Sequence, residues 1–346
     1  MSTPAPLLRL EQVSVVYRGS GRGRTVHAVS DVSLDVLEGE TLGLVGESGC
    51  GKSSLAHAVV QLPPPTSGRV WLGDVDLTAR RGRSLRAVRP SMQMILQDPI
   101  SSLNPRRTVA QIVAEPAAAW QRARGAALDR LVDESLDAVG IDPRSARNRR
   151  PHEFSGGQCQ RICIARALIL QPRLIICDEP VSALDVSIQA QILNLLEDLH
   201  RSRGLTMLFI SHDLAVVKNV SDRIAVMYLG KLCELAPAED LYRRPGHPYS
   251  SALLDAIPSL ETGRKRSRRA LSGAGHSPSD PLSGCRFRTR CPKAQSVCAV
   301  EEPMFREMYP GHFVACHFPL TARDDPAPAP VNHSVAFEPG GIVEPR

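Results

Sequence analysis

Aromatic residues make up only 4% of this 346-residue sequence. Nowhere does it carry the roughly twenty consecutive apolar residues that a helix needs to cross a bilayer. The second lack argues against a membrane span within the chain, and the start MSTPAPLLRL lacks the apolar core of a secretory signal. A protein kept in the cytosol, reaching any membrane through partner chains, is therefore expected. One charge sign does not dominate either: 42 basic residues face 36 acidic ones, for a net charge of +6. Much of the excess is local, in the run RKRSRR at 264–269. That run reads as a solvated basic linker, with contact to anionic lipid headgroups or a partner as the alternative. No aromatic residues interleave it as a stacking surface would require, so no nucleic-acid partner is expected. No C-x₂-C pair occurs, and no internal repeat is apparent. What is present is ample material for a core, at 42% hydrophobic residues, enough for one large domain with an appendage.

Four short motifs stand in one order: GESGCGKSS at 46–54, FSGGQ at 154–158, LIICDEP at 174–180 and SHD at 211–213. The first follows the apolar run Thr41 to Val45 and fits a phosphate loop, a buried strand turning through glycines into a helix. Its residues Gly46, Glu47, Ser48, Gly49, Cys50, Gly51, Lys52, Ser53 and Ser54 are the expected cradle for a nucleotide's phosphates. Backbone N–H groups approach the phosphates closely there, and the helix N-terminus favours their charge. Lys52 is expected at the β- and γ-phosphates, and the Ser53 hydroxyl on Mg²⁺. LIICDEP repeats the pattern at a second strand whose carboxyl edge ends in two carboxylates, where open α/β sheets bind ligands. Asp178 is placed to hold the Mg²⁺ shell. Glu179 points differently and can polarise a water in line with the γ-phosphate. Pro180 ends the strand. In FSGGQ, Ser155 is a good N-cap for the helical run CQRICIARALIL, and Gly156 and Gly157 leave that helix start bare enough for an anion.

With these residues in hand, the chain resembles the nucleotide-binding subunit of ATP-binding cassette (ABC) transporters, whose signature is LSGGQ. The resemblance implies an α/β phosphate-loop ATPase core with an antiparallel β edge and a helical subdomain. It implies that Ser155, Gly156, Gly157 and Gln158 of one subunit cover the γ-phosphate bound by the other. It further implies that Gln97 senses Mg²⁺ and the attacking water, that SALD at 182–185, including Asp185, crosses the dimer interface, and that His212 contacts the γ-phosphate. Glu179, His212 and Gln97 are then the catalytic set, and Ser53, Gln97 and Asp178 the magnesium set. Tyr17, ending the strand pattern LRLEQVSVVY, is the candidate to stack on adenine. Phe154 and Cys159 depart from the family's usual residues, but neither removes a group that touches phosphate.

Strand patterns fill the first 80 residues around the phosphate loop, and residues 108–141 turn helical, with apolar residues at spacings of three and four. A helix from Val186 to Arg203 stopped by Gly204, a strand leading to His212, and a hairpin around Gly230 follow. The cassette is expected over 1–257, with its helical subdomain about 107–155. Composition then changes: 259–284 is rich in Gly, Ser and Arg, and 321–346 in Pro and Ala, where disorder is expected.

Between those stretches lie four of the nine cysteines, Cys285, Cys291, Cys298 and Cys316. Four thiols in a short cytosolic module suggest a metal staple rather than disulfides, and their spacing does not choose the metal. HPYSSALLDAIPSLE at 247–261 followed by this module, with QDPISSLNPR at 97–106 and LDVSIQAQILNLL at 184–196, resembles the second of the two ATPase subunits in dipeptide and oligopeptide importers. In some members of that family the four cysteines bind a [4Fe–4S] cluster, which is implied here, with zinc or unligated thiols as alternatives and a redox sensor as a further one. The resemblance covers roughly residues 7–320, with 258–320 as the C-terminal extension. It implies ATP and Mg²⁺ as cofactors, and a second, different ATPase subunit, two transmembrane permease subunits and an extracytoplasmic substrate-binding protein as partners. It also implies a place at the cytoplasmic face of the membrane. Nickel and glutathione importers use the same ATPase type. A soluble ATP-dependent switch is the reading from another class, and single copies of each motif argue against it. Of the remaining cysteines, Cys50 in the phosphate loop is read as oxidation-sensitive, and Cys163, Cys177 and Cys233 as small core residues.

Overall fold

The computed structural model describes residues 5–18, 25–257 and 283–321; the basic run at 264–269 and the Pro/Ala-rich stretch beyond 321 lie outside them. The strands are β1 (Pro6–Arg18), β2 (Thr25–Leu37), β3 (Thr41–Val45), β4 (Ser67–Leu72), β5 (Val75–Asp76) and β6 (Met92–Ile95). They continue with β7 (Leu174–Asp178), β8 (Thr206–Ser211), β9 (Arg223–Tyr228), β10 (Lys231–Pro237), β11 (Phe305–Tyr309) and β12 (His312–Ala315). Every residue of β3, β7 and β8 is buried. That is why these segments read as unbroken apolar runs: a parallel strand covered on both faces has no polar side to alternate with.

One sheet has the order β11-β12-β10-β9-β3-β8-β7-β6, with β9 through β6 parallel and the remaining pairs antiparallel. A second, antiparallel sheet has the order β2-β1-β4-β5. The central sheet separates two cores. Leu42, Leu44, Ile176 and Ile210 pack toward the antiparallel sheet and the helix Lys52–Val59. Val45, Cys177, Met207 and Phe209 pack toward the helices Val109–Ala119, Gly156–Leu168 and Val186–Arg203. The fold is thus the α/β cassette with an antiparallel edge that the family resemblance implies. The hairpin around Gly230 and the helix stop at Gly204 are both found.

Two features differ from the sequence reading. The helical stretch 108–141 is not continuous: it breaks between Val109–Ala119 and Ala126–Asp137. Gln121 and Gly125 both take left-handed backbone angles in the break, which the apolar spacing on either side does not reveal. The second is a strand pairing across the boundary read near residue 257, which the sequence did not announce. Strands β11 and β12, from beyond that point, continue the central sheet, with Glu234 opposite Val314. The junction is pinned by a fully buried contact between His312 Nε2 and Glu234 Oε1 at 2.6 Å. The same carboxyl group accepts the backbone N–H groups of Gly246 (2.6 Å) and His247 (2.9 Å), so its buried oxygens are hydrogen-bonded on several sides. His247 itself is pushed down to about 4 by burial, which keeps the ring neutral, and its Nδ1 accepts the Tyr249 N–H at 3.0 Å. Among the described residues no helix is long and apolar enough to cross a membrane.

Candidate active site

The parallel register decides where the motifs meet. Val45 lies opposite Ser211, Asp178 opposite Ile210, and Ile95 opposite Cys177. The phosphate loop, the acidic pair, His212 and Gln97 therefore all leave the sheet at one carboxyl edge, where open α/β sheets place ligands.

At that edge Lys52 is buried, and its Nζ donates to the carbonyls of Gly46 (2.8 Å) and Glu47 (3.1 Å). The helix Lys52–Val59 presents its first amides, which have no intrahelical acceptor, toward the loop. Ser48, Gly49 and Ser53 are exposed, while Gly46 and Cys50 are buried. Gly46 is needed by its surroundings, since a Cβ there would lie 2.1 Å from the Met227 carbonyl oxygen. The Ser53 hydroxyl donates to Asp178 Oδ1 at 2.9 Å, bringing the two expected Mg²⁺ ligands together. Burial raises the Asp178 carboxyl above its ordinary range, with the Ser53 hydrogen bond opposing it. An oxygen pair of this kind fits a hard divalent cation.

Glu179 adopts a left-handed angle (φ 48°), unusual for a non-glycine residue and of the kind that clusters at functional sites. It lets the side chain leave β7 sideways: Glu179 Oε2 accepts from Gln97 Nε2 at 2.8 Å, and Oε1 lies 3.2 Å from His212 Nδ1. The backbone is held by Glu179 N–H to Ile210 O at 3.0 Å. The three expected catalytic side chains thus form one cluster beside Asp178.

Ser155 caps its helix in a capping box with Gln158, worth about 1 kcal/mol. Asp185 caps the helix Val186–Arg203 through the N–H of Ile188 at 3.0 Å, and that contact together with Ser187 holds its carboxyl below the usual range. Tyr17 is half-buried at the end of β1, opposite Val26 and packed on the core. Among the described residues no hydrogen bond or ion pair joins residues 155–158 to the phosphate loop of the same chain. Gly157 is fixed by packing: a Cβ there would lie 2.4 Å from Ile188 Cγ2, whereas at Gly156 it would meet Leu184 Cδ2 at an ordinary 3.5 Å. Gly157→Ala is accordingly expected to destabilise the chain by about 1–3 kcal/mol through overpacking. Gly156→Ala should fold normally, and thermal denaturation of the two variants checks the contrast.

Cys50 departs from its sequence reading as an oxidation-sensitive thiol. It is almost fully enclosed and burial pushes its thiol up, so little of the reactive thiolate forms. Cys163, Cys177 and Cys233 are buried as expected. Burial raises Cys285, Cys291 and Cys316 as well, Cys316 to about 12, and the neighbouring thiols, Cys298 among them, push these three further in the same direction. The donor set is right in number and kind for a metal staple. Its arrangement is not: among the described residues no group of three or more His, Cys, Asp or Glu is placed to hold a metal ion. The geometry therefore gives the expected iron–sulfur cluster no support.

Sequence reading missed two residues that touch the site. Tyr249 accepts the Glu47 N–H at 2.9 Å, and Arg290 Nη1 donates to Glu47 Oε2 at 2.9 Å. Tyr249 stood inside the family-like HPY triplet, a signal that could have flagged it. Arg290 had none.

A glycine loop with a buried lysine, a hydrogen-bonded serine–aspartate pair and a glutamate held beside a glutamine and a histidine define a phosphate-loop ATPase of the cassette type. Comparison with known proteins agrees. Residues 29–182 match the family model described as ABC transporter, and residues 233–298 match "Oligopeptide/dipeptide transporter, C-terminal region". The chain is 50% identical over 317 residues to a putative oligopeptide transport ATP-binding protein, YkfD, of Bacillus subtilis, covering 90% of this chain and 95% of that relative. It is 52% identical over 298 residues to the oligopeptide transport ATP-binding protein OppF of Salmonella typhimurium, covering 85% and 88%. Among solved structures, the dimeric ATP-binding cassette MJ0796 bound to ADP and Pi matches with a TM-score of 0.60 and 28% identity, over 67% of this chain and 98% of that one. The chain belongs to the ATP-binding proteins of ABC transporters, and to the group that carries the oligopeptide-type C-terminal region.

Proposed function

We propose that this chain is the ATP-hydrolysing subunit that powers import of di- and oligopeptides across the cytoplasmic membrane. The observation that carries the reading is the match of residues 233–298 to the oligopeptide/dipeptide C-terminal region, in a chain about half identical to relatives named for oligopeptide transport. The subunit acts at the cytoplasmic face, paired with a second, different ATPase beneath two permease subunits, with an extracytoplasmic binding protein delivering cargo. The cassette spans 1–257, its helical subdomain (about 107–155) docks on the permeases, and 258–320 form the extension. ATP and Mg²⁺ bind at the carboxyl edge, with Lys52 on the phosphates, Ser53, Asp178 and Gln97 around the metal, and Tyr17 against adenine. The partner's signature residues close over this site, and Ser155, Gly156, Gly157 and Gln158 close over the partner's. That division of labour rests on the resemblance of the two motifs to those of the family. Glu179 draws a proton from the attacking water, His212 and Gln97 orient that carboxylate, and hydrolysis reopens the dimer.

Vesicles carrying the whole complex test the cargo. ATP-driven accumulation from a mixed peptide library, abolished by Glu179→Gln, supports the proposal. Vesicles that hydrolyse ATP but take up nickel or glutathione and no peptide would move the chain to that importer class. A [4Fe–4S] cluster on Cys285, Cys291, Cys298 and Cys316 is a finer reading resting on the family resemblance alone. Chain purified without oxygen decides it: bound iron with broad visible absorption establishes the cluster, whereas four titratable thiols and no iron remove it.

A further inference from the structure

We infer that Arg290 and Tyr249 are positioning residues for the phosphate loop, acting through Glu47, so that the C-terminal extension sets how tightly this cassette holds ATP. The inference rests on the loop's role in binding ATP and goes beyond it by assigning control of the loop to residues outside every ATP motif.

Glu47 is held on three sides. Its N–H donates to the Tyr249 hydroxyl at 2.9 Å, and its carboxylate takes Arg290 Nη1 at 2.9 Å. Its carbonyl oxygen accepts from Lys52 Nζ at 3.1 Å and from the Cys50 N–H at 3.2 Å. The residue that seats the phosphate-binding lysine is therefore itself seated by two groups contributed from 200 or more residues away. Both are anchored firmly. Tyr249 is fully buried, with its ring centroid 4.6 Å from that of Tyr228 and 5.4 Å from that of Phe287 in the extension. The Arg290 side chain is 9% exposed and lies over the Tyr228 ring, while the Arg290 N–H donates to Phe287 O at 3.0 Å. The hydrogen bond to Glu47 is the chief cause that pushes Arg290 above its ordinary range. A second tether reaches the far end of the loop: Gly230 N–H donates to Cys50 O at 2.7 Å, and the Arg286 guanidinium donates to the neighbouring Leu229 carbonyl.

These contacts fix the direction of the loop's backbone before a phosphate arrives. Pre-orientation strengthens binding by removing the ordering that binding would otherwise require. The groups of the chemical step, Glu179, His212 and Gln97, hang from β7, β8 and β6 and make no contact with Arg290 or Tyr249 among the described residues. Loosening Glu47 should thus weaken ATP affinity and leave turnover at saturating ATP largely intact. The two partners of the ion pair are not equivalent. Glu47 is 38% exposed and can hydrate if orphaned, whereas Arg290 cannot, so removing Arg290 is the cleaner substitution.

The test measures ATP affinity of the full-length chain, with KM and kcat from the assembled transporter. Arg290→Gln should raise Kd and KM about tenfold with kcat within about twofold of the parent, as expected for loss of one charge-assisted contact. Arg290→Lys should recover part of the loss, and the exchange Glu47→Arg with Arg290→Glu should recover more than either single change allows. Tyr249→Phe keeps the buried ring and removes only the acceptor, and should raise Kd about fivefold even if the arginine variant folds poorly. Lys52→Ala is the control for the ATP site itself. Parent-like ATP affinity in both Arg290→Gln and Tyr249→Phe, while Lys52→Ala has lost binding, overturns the inference. Parent-like affinity in Lys52→Ala would instead overturn the phosphate-loop reading on which it rests.

Discussion

Replacing Glu179 by glutamine should lower ATP turnover by about 10²–10⁴-fold, the range over which a positioned general base contributes, while ATP binding survives. The substitution is nearly isosteric, and the site explains why it is clean. Gln97 and His212 hold the two carboxylate oxygens at 2.8 and 3.2 Å, and an amide can keep a hydrogen bond to each neighbour. What disappears is the oxygen able to take a proton from water. The left-handed backbone at residue 179 is held by the bond from its N–H to the Ile210 carbonyl, which does not involve the side chain, so it should persist in the variant. Bound ATP should then hold the dimer closed. Single-turnover hydrolysis by the assembled transporter, with ATP retained on a filter, checks both halves. Undiminished turnover would remove Glu179 from its role.

Lys52→Ala acts on the other half of the reaction. Hydrogen bonds to charged groups contribute about 1.5–3 kcal/mol each, and this ammonium is expected to meet two phosphates. Loss of ATP affinity by about 100-fold or more follows, measured by equilibrium titration with a fluorescent ATP analogue. The fold should tolerate the change. The lysine's partners are the Gly46 and Glu47 carbonyls, and the strand and helix on either side are secured by Leu42, Leu44, Leu55 and Val59 in the core.

Local chemistry explains what the sequence made legible. The phosphate loop, the cap at Ser155, the stop at Gly204 and the largely apolar β3, β7 and β8 each state their structure within a dozen residues. Strand order brings those pieces to one edge, so the clustering of Gln97, Glu179 and His212 could be read from resemblance but not from spacing. Contacts between distant single residues left no trace. Glu47 meets Arg290 across 243 positions and Glu234 meets His312 across 78, with no periodic pattern to announce either. The short β11 and β12 carry too few residues to display alternation, and for that reason their place in the central sheet was hidden. The cysteine module shows the limit of composition: four thiols in a short segment have the donor count of a metal site whatever their arrangement.

The central position of β3 has a consequence for how the chain is made. Thr41 is synthesised long before its hydrogen-bonding neighbours, β8, beginning at Thr206, and β9, beginning at Arg223. On the ribosome the phosphate loop therefore emerges well before the strands that flank it, and the last piece of the same sheet, Phe305–Ala315, appears later still. Pairings of such long sequence separation form slowly. A nascent chain of this kind leaves β3 without a partner until Thr206 is made, and a premature stop before that residue leaves the strand that carries the phosphate loop with neither of its neighbours.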